Sequence, residues 1–148
     1  MRILLRRLAG FLAGLVVAFL AVQVAELGVH ALYPPPPGTN MKDFEQVKKF
    51  VASLPAIADV LVLSGWLVGT LAGTYLATRI GGHVAEGYAL MLILFSAGIM
   101  NALMIPQPKW FTAASFVIYI VIGFLGTRLG VRGRASRPAR AQAFREYE

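Results

Sequence analysis

The sequence predicts an all-α, polytopic membrane protein: four transmembrane helices, both termini on the cytoplasmic side, and a short amphipathic helix on the outer side. Three observations carry this expectation. Hydrophobic residues make up 57% of the 148-residue chain and charged residues 14%, against about 45–50% and about 25% in soluble domains. Four apolar runs are each long enough to cross a hydrocarbon core about 30 Å thick. No alternating strand pattern competes with them.

The first span covers residues 3–32. Arg2, Arg6 and Arg7 ahead of it look like the basic region of a secretory signal. The apolar run Leu8–Ala25 is longer than a signal core, and cleavage after Ala25 would put Gln23 where a small residue is required. The segment is therefore read as an uncleaved span. Tyr33 and the run Pro34–Pro37 end it, because prolines donate no hydrogen bond and hold an extended strut. In the loop that follows, residues 33–54, Gly38, Thr39 and Asn40 turn the chain, with Asn40 the expected N-cap of the next helix.

From Met41 to Leu54, Phe44, Val47, Val51 and Leu54 recur at helical spacing, and Lys42, Asp43, Glu45, Lys48 and Lys49 fill the other side. Such a helix lies in the interface against lipid or caps the bundle. The second span, 55–80, carries Gly65, Gly69 and Gly73, two overlapping G-x-x-x-G steps for close packing within the bundle or between protomers. The third, 84–105, is closed by Pro106 and Pro108. The fourth, 110–129, leads into a basic tail, 130–148. The whole reads as one transmembrane domain, 1–148.

Orientation follows from the basic residues. Arg2, Arg6, Arg7, Arg79, Arg128, Arg132, Arg134, Arg137, Arg140 and Arg145 share one side, and Lys42, Lys48, Lys49 and Lys109 the other. The arginine side is expected to be cytoplasmic. The net charge of +7 thus reports topology rather than nucleic-acid binding, and the tail is expected to meet anionic lipid headgroups.

Depth along the helices locates the residues with chemistry. Glu26 lies about 10 Å inward from Tyr33, Asp59 about 6 Å from Pro55, and Asn101 about 7.5 Å from Pro106, at 1.5 Å per residue. His30 stands one turn above Glu26 and Gln23 extends the same face inward. Three helices therefore bring Gln23, Glu26, His30, Asp59 and Asn101 toward one outer-leaflet cluster. A carboxylate there needs a partner or a shifted pKa. Three readings fit: Glu26, His30 and Asn101 satisfy one another and knit the bundle; the cluster handles a proton or cation; or Glu26, His30 and Asp59 bind a metal.

Other chemistry is disfavoured. The chain has no cysteine, which removes disulfides, thiolate metal sites and thiol catalysis. Ser64, Ser96 and Ser115 have no histidine at a credible depth, and no phosphate loop or zincin motif is present. No catalytic residue, cofactor or resident metal is expected. Trp66 reads as a packing residue, and Arg79, His83 and Glu86, around the short inner connection, as solvated.

The string from Glu26 through His30 and Tyr33 to Gly38, with Asn101 through Pro106 to Trp110 and Phe111, resembles a group of uncharacterised bacterial four-span integral membrane proteins. That resemblance implies a bacterial inner-membrane location and no activity. The function class expected first is an accessory, assembly or stabilising protein packing against a second copy or a larger membrane complex. A small proton- or cation-coupled transporter using Glu26 is the alternative, and a lipid-acting enzyme is third.

Overall fold

A computed structural model describes residues 1–132; the expected contacts of Arg134, Arg137, Arg140 and Arg145 with lipid fall outside the described residues. Among them helices are the one kind of regular secondary structure, and four are long and apolar enough to span a membrane. Helix α1 is Arg2–Leu32, α2 is Phe44–Ala52, α3 is Ala56–Gly81 and α4 is Val84–Met104. Helix α5 runs over Lys109–Arg132 and contains a π-helical turn at Ile118–Ile122.

Each boundary has a local cause. Tyr33 leaves helical geometry at φ −130°, ψ 74°, and the prolines behind it cannot continue the ladder. Helix α3 ends at Gly82, which takes the left-handed conformation (φ +94°) open to glycine at little cost. His83 then caps α4, its Nδ1 accepting from the Ala85 amide at 3.2 Å. Two residues thus suffice to reverse the chain between α3 and α4.

The loop helix begins later than expected and with a different cap. Asp43, not Asn40, is the N-cap of α2, accepting from the Glu45 amide at 3.0 Å and from the Gln46 side chain at 2.9 Å. Asn40 instead closes a turn by accepting from the Lys42 amide at 3.0 Å. Gln46 decides between them: its amide nitrogen reaches Asp43, while its oxygen accepts from the Asn40 amide at 2.8 Å.

Helix α3 is the centre of the bundle and has two different faces. Toward α1 it presents small residues at four-residue intervals. A Cβ on Gly73 would lie 2.8 Å from the Gly14 carbonyl oxygen, and one on Gly69 would lie 2.8 Å from that of Ala18. Gly65 faces Ala25, and Gly10 faces Gly81, so the two helices run antiparallel in backbone contact. The Gly65–Gly69–Gly73 stripe is therefore filled within the chain.

Toward α4 and α5, α3 presents Thr70, Thr74 and Thr78, all buried. Thr74 Oγ1 donates to the Thr70 carbonyl at 2.7 Å, and Thr127 of α5 donates likewise to Gly123 at 2.9 Å. Such local bonds satisfy hydroxyls where no water is available. Gly87 and Gly126 make room for these threonines. Leu63, Trp66, Phe111 and Tyr119 form the apolar core. Tyr119 sits in the π turn and lies over Gly98, and its ring centroid is 5.7 Å from that of Trp66.

At the end holding the N-terminus, Glu86 is only 6% exposed. It forms an ion pair with Arg7, while Arg6 Nε donates to the Gly81 carbonyl at 3.2 Å. This corrects the expectation that Glu86 is solvated. In the first turn of α4 it lies beneath the N-terminal arginines of α1, which a reading of the local connection does not reveal.

Candidate functional site

At the opposite end, where the proline strut leaves α1, the bundle borders a partly open cavity of about 250 Å³. Its polar lining is Glu26 and His30 from α1, Asp59 from the first turns of α3, Asn101 from the end of α4, and Gln107 from the connection to α5. Four of the five residues singled out by depth thus border one space. The fifth, Gln23, reaches Glu26 from below, its Nε2 donating to Glu26 Oε2 at 3.3 Å.

Helix α2 closes this space. Met41, just ahead of it, and Val47, Phe50 and Val51 within it turn their apolar face to the cavity. Phe50 is buried, and its ring stacks on His30 at 6.1 Å with an interplanar angle of 12°. Ala58, Val62, Trp66 and Phe111 form the inner wall. Among the described residues, no Cα of α2 lies within 8 Å of a Cα of another helix, so α2 packs on the bundle through side chains. The amphipathic segment caps the bundle through its apolar face, with Lys48 and Glu45 paired on its other side at 3.0 Å.

A second cavity, about 320 Å³, lies deeper between α1, α3, α4 and α5. Gln23 lines it with Val22, Leu94 and Tyr119, and Glu26, Trp66 and Asn101 line both spaces. Trp66, expected only to pack, therefore also separates the two. Each cavity is near the small end of the range for ligand pockets, about 300–1,000 Å³.

The polar residues are gathered but do not consume one another. Among the described residues, Glu26 has a side-chain hydrogen bond only with Gln23, and His30 is engaged by the Phe50 ring. Of the three readings the sequence leaves open, mutual satisfaction of Glu26, His30 and Asn101 finds no side-chain hydrogen bond among these three in the described residues; they stand around a common space. Among the described residues, no group of three or more His, Asp or Glu side chains is arranged to hold a metal ion. What the arrangement can do is bind: apolar walls supply area, and a few polar groups at one depth supply orientation.

No family model, curated protein or solved structure matches the chain.

Proposed function

We propose that this is a small, non-enzymatic accessory membrane protein that works by holding an amphiphilic molecule in the cavity beneath α2. The observation that carries the reading is the convergence of α1, α3 and α4 on that cavity, each contributing a polar side chain to otherwise apolar walls. Self-association through the glycine stripe has less support, because α1 of the same chain already fills it.

We place the protein in the bacterial inner membrane with both termini cytoplasmic and α2 outside. The arginines at the N-terminal end and the lysines around α2 support that orientation. The resemblance to bacterial four-span proteins supports the membrane.

The test is native mass spectrometry after mild detergent extraction, on wild type and Ala58→Phe. Ala58 is buried against the cavity, so the larger side chain fills it. An amphiphile bound to wild type and lost from a folded Ala58→Phe supports the reading. A stoichiometric protein partner retained by both, with no bound amphiphile, would favour an accessory role exerted through the outer surface of the bundle.

A second reading is favoured by Glu26 standing between two cavities. In it, Glu26 couples passage of a proton or cation to transport. Purified Glu26→Gln that still transports in liposomes removes that reading.

A further inference from the structure

We propose that the occupant of the cavity beneath α2 is a compact organic cation, an ammonium group carried on an apolar ring or short chain. This rests on the binding reading above and adds its chemistry.

Charge complementarity is the first ground. Among the described residues, the ionisable side chains bordering the cavity are Glu26, Asp59 and His30, and no lysine or arginine lines it. An anionic headgroup would therefore meet carboxylates with no cation to receive it. A phospholipid brings such a group even when it also carries an amine. A lone ammonium meets no such penalty.

The walls are the second ground. Phe50, Trp66 and Phe111 border the same space as the carboxylates. Aromatic faces attract cations, most strongly where water is excluded. A small divalent ion is a poorer fit, since among the described residues no three acidic or imidazole groups are close enough together to hold one in place of its hydration shell.

Size is the third. A cavity of about 150 Å³ accommodates a benzene ring, so about 250 Å³ holds a ring with a methylated ammonium group. It does not hold two acyl chains. The deeper cavity, sharing Glu26, Trp66 and Asn101, offers an apolar continuation for one short tail.

The experiment uses the full chain purified in detergent, with Trp110→Phe so that Trp66 is the remaining tryptophan and is excited selectively over tyrosine. Three probes of one shape are titrated and corrected for micelle partitioning: benzyltrimethylammonium, its neutral carbon isostere neopentylbenzene, and the anion benzylsulfonate. Saturable quenching by the cation at least about tenfold tighter than by the neutral probe, with the anion weakest, is expected. In the double variant Glu26→Gln/Asp59→Asn the cation is expected to bind at least several-fold more weakly, keeping only the part of its advantage that the aromatic walls supply, while the affinity of the neutral probe stays unchanged.

The wild-type comparison needs no variant, so a misfolded double mutant does not rescue the idea. Equal or tighter binding of the neutral probe overturns the cation assignment and leaves the cavity as an apolar binding site. Saturable quenching by none of the three overturns both this inference and the binding reading beneath it.

Discussion

Arg7 and Glu86, 79 residues apart, form an ion pair that ties the N-terminal end of α1 to the first turn of α4. The glutamate is buried, and its second carboxylate oxygen has no hydrogen-bond partner among the described residues. Removing one member of a fully buried pair costs about 3–5 kcal/mol because the other charge is stranded. Arg7 is 43% exposed, so screening by water reduces the expected loss in Arg7→Met to about 1–3 kcal/mol. The double variant Arg7→Met/Glu86→Leu should recover most of it, since neither charge is then left alone. Unfolding of wild type, Arg7→Met, Glu86→Leu and the double variant in detergent, followed by circular dichroism, gives the coupling. Additive losses would show that the pair does not act as a unit.

The seam between α1 and α3 tolerates no added carbon. At Gly73 a Cβ meets a backbone oxygen of Gly14 at 2.8 Å and the Ala18 methyl at 2.9 Å, and neither can move without shifting a helix. Gly73→Ala should therefore destabilise the bundle by about 1–3 kcal/mol. Gly28, on the same helix as Gly14, has nothing within 4 Å of such a carbon. Gly28→Ala should be neutral or stabilising by up to about 1 kcal/mol, since alanine is the better helix former. Equal melting temperatures for the two variants would mean that the seam is looser than the geometry implies.

The two ends of the bundle differ in how far residue order alone reveals them. At the strut end, prolines and aromatics mark where helices stop, and a constant rise per residue converts those stops into depth. Glu26, Asp59 and Asn101 could thus be placed at one level before any contact was known, and all three border one cavity. The cavity itself was not legible, because its existence depends on α2 closing over it through Phe50. Amphipathic spacing shows that α2 has an apolar face and leaves open whether lipid or protein covers it.

At the other end, legibility fails for a different reason. Glu86 follows a two-residue turn, and a carboxylate beside a turn is ordinarily wet. Its burial comes from α1, which reaches it only because small residues let α1 lie in backbone contact with α3. The π turn at Ile118–Ile122 is likewise a response to packing, with Tyr119 set over Gly98 and beside Trp66. Nothing in the run of β-branched residues around it signals a change of helix type.

Phe50 is the main anchor of α2 on the bundle, through its burial and its stacking on His30. Phe50→Ala should open α2 locally by about 1–2 kcal/mol, less than a full core truncation because the helix packs on one side only. Amide exchange over Phe44–Ala52 should then quicken by about tenfold, while the central turns of α3 keep their protection. Quickened exchange throughout α3 would instead make α2 an integral part of the bundle.

The cap of α2 gives a pH dependence of known sign. Hydrogen bonds from the Gln46 side chain and then the Glu45 backbone favour the ionised form of Asp43 and hold its pKa below the ordinary 3.8. A carboxyl group lowered in this way stabilises the folded helix fully above 3.8, and the contribution is lost as pH falls through the lower folded value. The Glu45 amide resonance in detergent-solubilised protein should therefore titrate only below pH 3.8, together with the helical shifts of α2. Asp43→Ala should lack that transition and show a frayed first turn already at neutral pH, where its Glu45 amide has no capping acceptor. A transition centred above the ordinary carboxyl range, or a variant with the wild-type first turn, would assign the cap to another group.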